Sequence, residues 1–323
     1  MKLVQFFLPE KGKRVGVVQG DRVLDVTSTD EGIRSTLDLV TQGKTARGVV
    51  ARASWLTKTL HRRGLDWREL QRPPSRRSPH LLVPIDAPEV WGAKDTYALD
   101  DGQAGVGGTS DNSHKQSVGP STDDDPRPAL FFKATAHRVA GPHAPIAIRR
   151  DSTLTLPEAG LAVVLGAGGA VVAFTACNDV AARDIEQRGL KYLSQARIYL
   201  GGCALGPCLT TPDEIDDPCA LQVRCSIVRG GKAIFSEATS TARLRRPIEA
   251  LVGWLLLDNP VPTGTVLCTG TGIVVPDIAA LSNGDHVDIE VQSIGRLSNP
   301  VRGTEDGRPG AGRDIESSLR VVE

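Results

Sequence analysis

The sequence predicts an α+β chain that is mostly β, with a small N-terminal α/β domain ahead of a larger, strand-rich one. Period-two apolar runs dominate after Pro128, helical periodicity is confined to a few stretches, and "RPPSRRSPH" (72–80) separates the two halves. At 323 residues the chain also exceeds what one average hydrophobic core organises.

Taken in order, "KLVQFFLP" and "KRVGVVQGDRVLDVT" read as short strands with turns at Glu10 to Lys13 and at Gly20-Asp21. From Ser35 to Arg72 the pattern becomes helical, with Leu37, Val40, Val49, Leu56 and Leu60 among basic residues. The prolines of the linker then end it, because they deny a helix its hydrogen bonds. Residues 1–80 are therefore expected as the small domain and 81–303 as the catalytic-size domain. Residues 100–128, almost without large apolar side chains, are expected as a mobile loop or lid, and 304–323 as a polar tail. Beyond Pro128, "ALFFKAT", "GLAVVL", "AVVAFTACND", "LQVRCSIVRG", "KAIFSEATS", "TVLCTGTGIVV" and "HVDIEVQSIG" read as strands. Only "DVAARDIEQ" and "RPIEALVGWLLLD" look helical there.

"GLAVVLGAGGAVVAF" reads as a hairpin around Gly166 to Gly169, glycines suited to the positive φ of a tight turn. With Ala167 and Gly168 as the central pair, Val164 faces Val171 and Glu158 faces Cys177. Strand alternation then places Glu158, position 160 and the diagonally related Asp179 on one face. This is a pocket for a hard cation with one wall missing, since position 160 is glycine.

Composition narrows the partners. Lysine plus arginine equal aspartate plus glutamate at 38 each, which removes the electrostatic footprint of a nucleic-acid binder. No apolar run approaches the roughly 20 residues of a membrane span, and the N-terminus lacks a signal-peptide pattern, so the expected location is cytoplasmic. Six cysteines without CxxC spacing read as buried, reduced thiols rather than a zinc site.

The segments "PALFFKATAHRV", "PEAGLAVVL", "CNDVAARDIE", "YLSQARIYLGGCALGP" and "CTGTGIVVP" carry a family resemblance. Their order and spacing resemble the fumarylacetoacetate hydrolase family, most of all its branch that dehydrates ketodeoxyarabinonate, closely over about residues 88–302. The resemblance implies a mixed β-roll catalytic domain, a small N-terminal domain, a homodimer, and a magnesium or similar ion that holds a small substrate with adjacent or β-placed carbonyl oxygens. The family's Glu-x-Glu pattern followed by an Asp falls on Glu158, Gly160 and Asp179, so the second ligand is missing. Magnesium keeps several waters and can use one or two carboxylates. The cofactor expectation is therefore none required, or weakly bound magnesium on Glu158 and Asp179.

Two more departures fall on the same site. Arg197 stands where the dehydratase branch has a lysine, and an arginine stays charged and can only bind or stabilise an anion. Ala129 stands where that branch has a glutamate. Lys133 and the Thr269-Gly270-Thr271 run persist, the latter resembling the family's carboxylate-binding strand end. Arg183-Asp184 also persists and reads more simply as a helix-start ion pair. The catalytic candidates are thus Glu158, Asp179, Arg197 and Lys133, and the substrate-binding candidates Lys133, Arg197, Gly270 and Thr271.

The leading expectation is an enzyme of this fold repurposed for lyase, dehydration or cyclisation chemistry on an enolisable dicarbonyl or 2-oxo acid-like compound in specialised biosynthesis, with weak or no metal dependence. The alternatives are an ordinary magnesium-dependent dehydratase or hydrolase of the family, and a non-catalytic binding or partner protein on the same fold.

Overall fold

The computed structural model describes residues 1–58, 60, 64–98 and 127–303. Most of the expected loop at 100–128 and the whole expected tail at 304–323 lie outside the described residues.

A large sheet runs through both halves of the chain. Its main path is Leu65–Asp66, Arg22–Asp25, Gly12–Gln19, Lys2–Leu8, Cys203–Thr210, Val171–Asp179, Ala159–Leu165, Val266–Cys268, Val90–Lys94 and Ala129–Ala134. Lys2–Leu8 pairs antiparallel with Cys203–Thr210, so the sheet crosses the expected division near residue 80. A second sheet orders Lys232–Ser240, Gln222–Arg229, His286–Val291, Gly295–Arg302 and Ile146–Ala147.

The strand Ala159–Leu165 is buried along its whole length, and its alternation explains why. Leu161, Val163 and Leu165 pack into a core with Val223, Ile227, Val287 and Ile289 of the second sheet. Ala162 and Val164 face the other way, into a core with Leu39, Val49, Ala53 and Leu56. A strand covered on both faces reads as a continuous apolar run rather than as alternating apolar and polar residues, as "GLAVVL" does.

Those last four residues belong to two helices where the sequence pattern alone suggests one helical region. Thr36–Gly43 begins at a capping box in which the Ser35 hydroxyl accepts from the Asp38 N–H and the Asp38 carboxylate accepts from the Ser35 N–H. It ends at Lys44, whose φ of 62° cannot continue a helix. Ala46–Thr57 follows, capped by Thr45. The "DVAARDIEQ" segment is only partly helical: Ala181–Ala182 is a short strand and Arg183–Glu186 a single turn.

The expected hairpin register is corrected by two residues. A 3-10 turn at Ala167–Gly169 and a bulge at Val164/Leu165 take up more chain than a two-residue turn, so Val164 faces Ala173 and Gly160 faces Cys177. A shift of two preserves the parity of the strand. The carboxylates therefore stay on one face, and Asp179 comes directly opposite Glu158, its N–H donating to the Glu158 carbonyl at 2.9 Å.

Candidate active site

Five segments bring charge to one place. Glu158 precedes the strand Ala159–Leu165, Asp179 ends Val171–Asp179, Glu186 closes Arg183–Glu186, Arg197 ends the helix Leu193–Arg197, and Lys133 lies in Ala129–Ala134. Arg197 is fully buried, and its guanidinium is the hub. Its two terminal nitrogens donate to the two Glu158 oxygens at 2.8 and 2.9 Å, a bidentate fork. One of them also lies 3.0 Å from a Glu186 oxygen, and the other 3.3 Å from Asp179 Oδ1. The Phe131 ring covers the guanidinium with its centroid 5.0 Å away.

Lys133 completes the cluster. Its Nζ sits 2.6 Å from Asp179 Oδ1 and donates to the Val180 carbonyl at 2.8 Å. Lys94 pairs with Glu186 at 2.5 Å, and Arg183 approaches Glu158 at 3.8 Å. Gly92 permits the close packing, since a Cβ there would meet the Phe131 ring at 2.4 Å and Asp179 Oδ2 at 2.9 Å.

Electrostatics follow from this geometry. Burial opposes the charge on Arg197, but the pull of Glu158, Asp179 and Glu186 overrides it and raises its pKa well above the ordinary value. Burial likewise pushes Glu186 up, and the Arg197 and Lys94 charges outweigh it, holding its carboxyl at about 2. Burial is the main cause that raises the Tyr199 phenol, whose ring lies 5.9 Å from Lys133 Nζ.

A cleft of about 250 Å³ opens beside this cluster, lined by Glu158, Lys94, Asp95, Arg183, Arg245 and Thr271 with an apolar wall that includes Ile273 and Val275. Lys133 and Arg197, expected at the substrate, are both fully buried and neither lines this cleft; Lys133 pairs with Asp179 and Arg197 with Glu158. Thr271 does line the cleft, and its hydroxyl accepts from the Ile273 N–H at 3.1 Å. Gly270 does not line it. Its φ of 93° turns its carbonyl over Gly160, where an added Cβ would lie 2.2 Å from that oxygen.

The Arg183-Asp184 pair separates. Arg183 faces the cleft, whereas Asp184 accepts from the Ser152 hydroxyl at 2.7 Å and the Thr153 N–H at 2.8 Å, and these bonds hold its carboxyl below the usual range against the opposing effect of burial. Ala129 lies opposite Lys94 on the neighbouring strand. Sequence reasoning missed Glu186, Lys94 and Arg245. The only local signal for Glu186 was its place in the "ARDIE" segment.

The residues present do not fit a divalent ion. Glu158 and Asp179 are engaged by cations, position 160 offers neither a side chain nor room for one, and no group of three or more His, Cys, Asp or Glu among the described residues could hold a metal. The thiols are free; five are buried and Cys219 is half-buried. No helix among the described residues is long and apolar enough to cross a membrane.

The sheet shared by both halves of the chain and the carboxylate cleft at the end of its central hairpin belong to a fold with solved counterparts. A solved 2-keto-3-deoxy-D-arabinonate dehydratase in its apo form superposes with a TM-score of 0.77 at 32% identity, covering 94% of this chain and 100% of that one. The same enzyme complexed with magnesium and 2,5-dioxopentanoate gives 0.74 at 33% identity, covering 94% and 99%. Residues 105–302 match the fumarylacetoacetate (FAA) hydrolase C-terminal family, and the chain belongs to that family. Among its relatives, a 2-dehydro-3-deoxy-D-arabinonate dehydratase of Saccharolobus solfataricus is 39% identical over 242 residues, 74% of this chain and 80% of that one. A probable 2-keto-3-deoxyxylonate dehydratase of Haloferax volcanii is 36% identical over 290 residues, 90% and 95%.

Proposed function

We propose that the chain is a hydro-lyase that removes water from a 2-keto-3-deoxy sugar acid. The family-dehydratase part of the alternative, taken without its magnesium dependence, is better supported than repurposing for other lyase, dehydration or cyclisation chemistry, because both relatives above are named as dehydratases of such acids and span most of the chain. The observation that carries the reading is the cleft itself, where the Glu158 carboxylate is fixed by Arg197 among the cleft-lining cations Lys94, Arg183 and Arg245.

The reaction needs a proton removed from C3, made acidic by the neighbouring 2-oxo group, and a proton given to the C4 hydroxyl so that it leaves as water. The 5-hydroxy-2-oxo-3-enoate so formed then loses a C5 proton and its C5 hydroxyl proton and gains protons at C3 and C4, which gives 2,5-dioxopentanoate. Arg183 and Arg245, at the cleft wall, recognise the acid's carboxylate, and Thr271 offers a hydroxyl to the same end. Glu158, held in one orientation by the guanidinium fork, takes the C3 proton. The Lys94 ammonium gives a proton to the leaving hydroxyl. Asp179, Arg197 and Lys133 hold these groups in place from behind. On this reading Glu158 keeps the catalytic role expected of it, and Arg183 makes the contact with the acid expected of Lys133 and Arg197.

The homodimer implied by the resemblance is part of this reading. The strand Lys232–Ser240 lies at the edge of the second sheet and is largely exposed, an edge of the kind that a second copy covers. Light scattering on the purified chain checks the assembly.

The test of function is formation of 2,5-dioxopentanoate from 2-keto-3-deoxy-D-arabinonate, alongside the corresponding xylonate. The reading expects turnover by the wild type and its loss in Glu158→Gln that remains folded by circular dichroism. A folded wild type inert toward both acids overturns it.

A further inference from the structure

Three acidic side chains from separate segments converge on a single guanidinium. Glu158 takes both prongs of the Arg197 fork at 2.8 and 2.9 Å, Glu186 lies 3.0 Å away, and Asp179 lies at 3.3 Å. Arg197 has no exposed surface at all. Asp179 is buried and Glu158 and Glu186 are half-buried; three carboxylates this close together need a neutralising charge, and here the chain supplies it itself.

The arrangement is specific to a guanidinium. Its planar fork matches a carboxylate through two parallel N–H bonds, and the Phe131 ring packs on its face at 5.0 Å. A small divalent ion needs carboxylate oxygens turned inward on one point at about 2.0–2.1 Å. The Glu158 oxygens instead point at N–H donors, and Asp179 Oδ1 is held by Lys133 at 2.6 Å. The position from which a further carboxylate would reach this point is Gly160, and the Gly270 carbonyl fills its side-chain space.

We infer that Arg197 is the resident cation of this site: its guanidinium neutralises Glu158, Glu186 and Asp179, and the acidic cluster does not take up a divalent ion. Entry of an ion requires eviction of a fully buried guanidinium, which leaves that charge unpaired in the interior. This weakens ion binding by on the order of a hundredfold or more relative to the same carboxylates without the arginine. The site's positive charge is thereby built in. It does not vary with metal supply, and an arginine keeps its proton across the working pH range.

The inference concerns the free protein and stands apart from the dehydratase reading, so it is tested with manganese alone and no substrate. Electron paramagnetic resonance of manganese added to the full chain reports free and bound ion directly, with the melting temperature as a second readout. The wild type is expected to show no saturable binding up to millimolar manganese and an unchanged melting temperature. Arg197→Ala, with the three carboxylates released, is expected to bind at least a hundredfold more tightly and to melt higher when manganese is added. Micromolar binding by the wild type overturns the inference. So does a folded Arg197→Ala that binds no better than the wild type. If Arg197→Ala does not fold, the wild-type titration decides alone. A failed turnover assay leaves the inference standing, and micromolar binding leaves the dehydratase reading standing.

Discussion

Arg197 and Glu158 form a two-pronged ion pair, 39 residues apart in sequence, in which the guanidinium is wholly buried and the carboxylate reaches the cleft. One partner lies in the interior and the other lines the cleft. The pair therefore couples the stability of the core to the orientation of the group that would act on the substrate.

Gly160→Ala is expected to destabilise the protein by about 1–3 kcal/mol, the usual cost of overpacking. The added Cβ would lie 2.2 Å from the Gly270 carbonyl oxygen, a backbone atom that cannot rotate away as a side-chain tip can. Gly160→Glu is expected to be worse, without restoring a metal site. Urea denaturation of both variants checks this, and a Gly160→Ala midpoint equal to wild type would contradict the packing argument.

Lys133→Met is expected to cost about 3–5 kcal/mol, the range for removing one partner of a buried ion pair. The substitution keeps the side chain's length but leaves the Val180 carbonyl and Asp179 Oδ1 without their 2.8 and 2.6 Å contacts. A surface lysine would cost well under 1 kcal/mol, so thermal unfolding distinguishes the two placements.

Glu186 sets an acid limit on stability. Its carboxyl is held at about 2, against an ordinary value of 4.5, so the folded state favours the ionised form. That stabilisation is fully present above pH 4.5 and is lost as pH falls toward 2, on the order of 3 kcal/mol for a group this well buried. Denaturant titrations between these limits should show a shallower acid loss in Glu186→Gln than in the wild type, from a lower starting stability. Parallel curves would mean that Glu186 does not titrate in this window.

Arg183→Ala is expected to raise KM for a 2-keto-3-deoxy acid about tenfold or more, with a smaller effect on kcat, because it removes a cleft-wall cation that the proposed reading assigns to binding the acid before and during reaction. Thr271→Val should act in the same direction more weakly, since it removes one hydroxyl and keeps the shape. Steady-state kinetics decide this. An unchanged KM in Arg183→Ala would place the acid's carboxylate elsewhere.

Much of the fold was legible because local pattern and burial coincide there. "GLAVVLGAGGAVVAF" could only be a buried hairpin, and the parity of its strands placed Glu158, Gly160 and Asp179 on one face even though the turn was longer than expected. The helical stretch after Ser35 was legible as helix, but its break was not. Lys44 adopts a positive φ that no preference of lysine announces.

The sequence by itself determined the family and the mainly β architecture, and it placed Glu158 and Asp179 on one face, since these follow from motif order, periodicity and residue type; it did not announce Glu186, Lys94 or Arg245. Only the tertiary structure decided how those charges are spent. Whether Arg197 faces substrate or a carboxylate depends on where Glu158 and Glu186 lie in space, and whether Gly160 is a gap or a packed contact depends on a carbonyl 110 residues further along the chain. Coulombic and packing energies depend on distances of a few ångströms between segments remote in sequence, and no local pattern encodes those distances.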